Sequence, residues 1–98
     1  MKPRQVKSLR KKLGLPQEQL ASLLGLSFAT VNRWENGQTT PSGLGLILLQ
    51  LLTEVVVLHP AETVVSQLRQ APNQLAVVKL LVTLSLEKAD EEPDGRKR

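Results

Sequence analysis

The chain has 98 residues, 41% of them hydrophobic but only 2% aromatic, and a formal net charge of +4. That is enough for one small domain with an appended arm, and its core must be aliphatic. Cysteine is absent and His59 is the only histidine, so no disulfide framework, thiolate metal site or histidine-rich zinc site is expected. No pair of acidic residues sits in an apolar setting that would shift a carboxyl pKa, so neither an enzyme nor a bound cofactor is expected.

The charge is unevenly placed. In residues 1–40, Lys2, Arg4, Lys7, Arg10, Lys11, Lys12 and Arg33 face only Glu18 and Glu35. In residues 41–88, Arg69, Lys79 and Lys88 are balanced by Glu54, Glu62 and Glu87. A basic half joined to a neutral, apolar half suggests a polyanion-binding module linked to an association module. Charge alone fits a merely soluble basic face equally well.

In chain order, Val6, Leu9, Arg10 and Leu13 recur at spacings of three and four and predict a helix over 3–13. Gly14 suits its stop, and Pro16 suits the first position of a second helix over 16–24. Gly25 ends that helix. Ser27 can cap a third helix through its hydroxyl, running to about Glu35 before Asn36-Gly37. Ser42 is a second cap candidate, opening a helix to about Leu58 that His59-Pro60 breaks.

A fifth helix is expected over about 60–70. A sixth follows over 73–88, although its run LLVTLSL also alternates like a strand. The charged end, ADEEPDGRKR, is expected to be disordered. The greasiest run, Leu44 to Leu58, contains Gln50, Thr53 and Glu54 and is too short to span a bilayer. No apolar stretch follows the basic N-terminus, so no secretory signal is expected. A soluble cytoplasmic protein with no membrane partner is the expectation.

Residues 16–37 meet the demands of a helix-turn-helix. Two helices locked at a steep angle need a small residue at their contact, a residue free to take an unusual turn conformation, and apolar residues at fixed inward positions. Ala21 is the small contact and Gly25 the turn. Leu20, Leu24, Leu26, Val31 and Trp34 are the inward set. With Val31 and Trp34 inward, Ser27, Phe28, Ala29, Asn32 and Arg33 point outward, in two adjacent rows spaced by four.

The run QEQLASLLGLS, then VNRWENG, then a proline and an apolar helix, resembles the lambda-repressor-like, or Xre-type, DNA-binding domain over about residues 4–58. That resemblance implies an all-α fold of five helices whose third enters the major groove, and a dimer on a palindromic operator. In many relatives an arginine at the position of Arg10 pairs with a glutamate at the position of Glu35, which implies a structural pair here. The glutamine matching Gln17 touches the DNA backbone in the family. Phe28 is bulkier than the polar residues usual at its place. Gln38, Thr39 and Thr40 are less basic than the loop often is, and the chain continues past the domain.

As a reader of double-stranded DNA, helix 27–36 offers Arg33 to guanine or to phosphate and Asn32 to adenine or to solvent. Phe28 and Ala29 can touch thymine methyls, or Phe28 can pack on its own domain. Gln17, Thr30, Asn36, Gln38, Thr39 and Thr40 are candidates for the DNA backbone, where contacts fix register without reading sequence. No metal-ligating set is present.

Leu44 to Leu58 is apolar all round and must be covered on more than one side. Val64, Val65, Leu68, Leu75, Val78, Leu81 and Val82 can supply one cover. Val77, Leu80, Leu84 and Leu86 then lack a partner, which predicts a homodimer through the C-terminal helices. The expected organisation is a DNA-binding domain over 1–58, a dimerising extension over 59–88 and a charged tail over 89–98.

Three functions fit. The first is a sequence-specific repressor. The second is an antitoxin that neutralises a toxin protein and represses its own operon. The stretch from Leu51 to Gln70 resembles part of some antitoxins. The third is a scaffold that no longer binds DNA, against which the basic first forty residues count.

Overall fold

The computed structural model describes residues 1–87, so the charged segment 89–98 lies outside the described residues. Six helices follow in order: α1 (Pro3–Leu13), α2 (Gln17–Leu24), α3 (Phe28–Glu35), α4 (Gly43–Leu58), α5 (Ala61–Gln70) and α6 (Gln74–Ser85). The described residues contain no strand, and LLVTLSL is helical up to Ser85. No described helix is long and apolar enough to cross a membrane.

The helix boundaries follow from local chemistry. Gly14 and Gly25 end α1 and α2 in left-handed conformations, with φ of 72° and 71°. This lets the next amide turn back: Leu15 N–H donates to the Arg10 carbonyl, and Leu26 N–H to the Ala21 carbonyl. Pro16 is the residue before α2 rather than its first helical residue. Ser27 caps α3, its Oγ accepting from Thr30 N–H at 3.1 Å. Ser42 occupies the equivalent place before α4 but makes no such bond. Asn73 caps α6 by accepting from Ala76 N–H at 2.9 Å.

One core cluster runs through all six helices. Val6, Leu9 and Leu13 of α1 join Leu20, Ala21 and Leu24 of α2 and Val31 and Trp34 of α3. Leu48, Leu49, Leu52 and Val55 of α4 are fully buried among them. Leu26, expected inward, is only partly buried at the margin.

The expected face of α6 is corrected by the structure. Val77, Leu81 and Leu84 are buried, at the i, i+4, i+7 spacing of a single face, and Leu80 is half-buried. Leu75 and Val82, expected to cover α4, are exposed, and Leu86 is 81% exposed. Two polar contacts accompany this rotation. At its start, Gln74 Nε2 donates to the Leu24 carbonyl at 3.0 Å and more loosely to that of Gly25 at 3.3 Å. At its end, the His59 ring meets the Leu84 carbonyl at 2.8 Å. On α4, Leu44, Ile47 and Val57 remain exposed.

Candidate nucleic-acid interface

α2 and α3 pack on each other across the Gly25 turn, with Leu20, Ala21, Leu24, Val31 and Trp34 inward. This leaves one face of α3 clear of the protein. Phe28 is 51% exposed, and Ser27, Ala29 and Arg33 are exposed with it. The Ser27 and Thr30 hydroxyls are 2.8 Å apart and hydrogen-bonded to each other, at the N-terminal edge of that face.

Beyond α3 the chain turns back on its end. Gln38 N–H donates to the Arg33 carbonyl at 2.9 Å, and Gly37 adopts a φ of 77°. Asn36, Gln38, Thr39 and Thr40 are all exposed there. A basic side chain, small polar groups and a half-exposed aromatic therefore share one side of the molecule with a polar loop. Such a surface can offer guanidinium and amide donors to base edges and hydroxyls and amides to phosphates.

Arg10 and Glu35 brace this face from behind. The Arg10 guanidinium is bidentate on the carboxylate, Nε to Oε2 at 2.6 Å and Nη2 to Oε1 at 2.9 Å. Its Nη1 also donates to the Leu15 carbonyl at 2.9 Å. The Glu35 side chain is 1% exposed. Burial by itself pushes the Glu35 carboxyl up. Hydrogen bonds from Arg10 and Gln17, with the charges of Arg10 and Lys7, more than reverse this and hold it below the usual range. The same hydrogen bond, opposed by burial and aided by charge, holds Arg10 above its ordinary value.

From Glu35 a chain of amides runs to α3. Gln17 Nε2 donates to Glu35 Oε1 at 2.9 Å. Asn32 Nδ2 donates to Gln17 Oε1 at 3.0 Å, and Asn36 Nδ2 donates to Asn32 Oδ1 at 3.0 Å. Asn32 and Gln17 are consequently half-buried and held, whereas Arg33 is exposed and makes no side-chain hydrogen bond or ion pair among the described residues.

Two further supports lie outside the expectations drawn from the sequence. Gly45, buried on α4, lies against the Trp34 ring. A glycine inside an otherwise leucine-rich helix is the signal that could have found it. Gln74, which holds the carbonyls of the α2–α3 turn, has no such signal.

Residues 6–50 match the family model described as helix-turn-helix, a segment that takes in α2, α3 and most of α1. No curated protein and no solved structure gives a match. Residues 6–50 are thus similar to a helix-turn-helix of the lambda-repressor-like, Xre type, a likeness that supports a DNA-binding transcription regulator in general.

Proposed function

We propose that the protein is a cytoplasmic, dimeric repressor that lays α3 into the major groove of each half of a palindromic operator. The single observation that carries this reading is the clear outer face of α3. Ser27, Phe28, Ala29, Asn32 and Arg33 read bases. Gln17, Thr30, Asn36, Gln38, Thr39 and Thr40 hold the backbone. Residues 1–58 form the DNA-binding part and residues 59–88 the dimerising extension. The exposed Leu75, Val82 and Leu86 on one side of α6 support the dimer, because an apolar stripe gains by being covered.

Selection of bound sites from random DNA tests the reading as a whole. The expected product is an inverted repeat whose half-sites lie about one helical turn, roughly 34 Å, apart. Recovery of no common site would refute it.

The same exposed leucines of α6 favour a second reading, an antitoxin whose C-terminal helices take up a toxin. That reading requires the product of a neighbouring gene to co-purify with this chain. Failure to do so leaves the repressor alone.

A further inference from the structure

α1 carries no acidic residue. Its exposed Arg4, Ser8 and Lys12 follow one another at intervals of four, so they form a single row about 12 Å long. That row edges a groove between α1 and α4, completed by the buried Leu9 and Val56 and the exposed Thr53 and Val57. No acidic residue lines the groove, and neither Arg4 nor Lys12 makes an ion pair among the described residues. Two cations without a counter-charge there stand along an apolar cleft.

The acidic residues are concentrated elsewhere in the sequence. Asp90, Glu91, Glu92 and Asp94 fall within a single short stretch, which lies outside the described residues. The described chain leads toward the groove. At the end of α6 the Leu84 carbonyl meets the His59 ring at 2.8 Å, and His59 closes α4 just after Val57. From Leu84 to Asp90 the chain can reach at most about 20 Å. Packed helix axes lie only about 8–10 Å apart, so the α1 edge of the groove is within that reach.

We propose that the groove between α1 and α4 takes the acidic stretch Asp90–Asp94 of the same chain, with its carboxylates set on Arg4 and Lys12. Single exposed ion pairs are weak. Tethering compensates: a short linker holds the stretch at an effective concentration in the millimolar range, so a contact of only millimolar affinity is about half formed. Arg96, Lys97 and Arg98 carry the sign of the groove, so the acidic stretch alone is drawn in. While it is seated, the α1 cations are withheld from other polyanions, and the stretch acts as an internal competitor for them.

The chain has no cysteine, so Gly95→Cys gives a single attachment point for a spin label in the whole protein. At low salt the label should broaden the amide signals of Arg4, Ser8, Thr53 and Val57 and leave those of Ala29 and Arg33 sharp. The broadening should disappear in the combined variant Asp90→Asn, Glu91→Gln, Glu92→Gln, Asp94→Asn, and equally in Arg4→Gln with Lys12→Gln. It should also disappear at about 1 M salt, where the screening length is about 3 Å, and it should not change on dilution. Toward a random-sequence DNA duplex at low salt, the variant with four amides should bind about twofold more tightly, the factor expected when a half-occupied surface is freed. That gain should vanish when Arg4→Gln and Lys12→Gln are also present.

Absence of broadening in the groove, broadening centred on α2 and α3, or broadening that survives the amide substitutions would each overturn the proposal. Broadening that fades on dilution would put the stretch on a second copy and overturn it as well. An equal gain in duplex binding with and without Arg4 and Lys12 would mean that the acids repel DNA from a distance, and the competition would be refuted.

Discussion

Gly45 and Trp34 are packed backbone against ring: a Cβ placed at position 45 would stand 2.8 Å from Cζ2 and 2.9 Å from Cη2 of the indole. Those are ring atoms of a buried side chain, so neither can swing aside. The absence of a side chain at 45 lets α4 close on the end of α3.

Gly45→Ala therefore sets two effects of opposite sign against each other. Alanine in a helix interior gains about 1 kcal/mol over glycine. Overpacking a tight core site costs about 1–3 kcal/mol. With two contacts below 3 Å, the clash is expected to win and the variant to unfold at lower denaturant. Gly45→Ala in a Trp34→Leu background should lose most of that penalty, which a double-mutant cycle measures. A Gly45→Ala protein more stable than wild type would show that the contact is not binding.

Acid should act on the ion pair. The Glu35 carboxyl is held below the usual range, so its stabilisation is complete above the unfolded value of about 4.3 and is lost as pH falls through the folded value. Unfolding midpoints of wild type should drop with acidification below about pH 4.3, and Glu35→Gln should show a shallower drop. Equal slopes would mean the pair contributes nothing to acid sensitivity. Arg10→Ala at neutral pH leaves a buried carboxylate without its partner and should cost about 3 kcal/mol.

Arg33 is exposed at the end of α3, so Arg33→Ala should leave stability within about 0.5 kcal/mol of wild type. Binding to a selected site should weaken by about 1–3 kcal/mol, with preference relaxed at one base pair. Titration over a range of salt separates the alternatives. A phosphate contact would weaken all sites alike and flatten the salt slope by about 1. Unchanged binding would remove Arg33 from the interface.

Association is tested on α6. Sedimentation at micromolar concentration should find wild type dimeric, and Val82→Lys should shift it toward monomer without unfolding it, since Val82 is exposed in the single chain. The variant should also bind a palindrome more weakly than wild type but a half-site equally well. A monomeric wild type would end the dimer proposal.

Much of α1 to α3 is legible in the sequence. Gly14 and Gly25 punctuate sharply periodic helices, and the apolar positions of α2 and α3 are few enough to have one consistent inside. The rotation of α6 is not legible. Apolar residues occupy Leu75 through Val78 and Leu80 through Val82, so periodicity allows more than one buried face. The observed face goes with tertiary contacts, the packing of Val77, Leu81 and Leu84 and the bonds of Gln74 and His59 to backbone carbonyls far away in sequence. On α3, the spacing of Asn32 puts it on the outer face, yet nothing in the sequence marks it as tethered to Gln17, because that bond depends on how closely two helix starts approach.

The Gln74 contact also bears on where the molecule can be divided. The side chain that opens α6 holds the carbonyls that close α2, and the buried leucines and valines of α5 and α6 share their surroundings with those of α1 and α4. Cutting after Leu58 would strip cover from Leu48, Leu52 and Val55 and leave the turn carbonyls to solvent. Loss of the C-terminal helices should melt α3 along with them. Whatever grips or displaces α6 is thereby thermodynamically linked to the packing of α2 against α3.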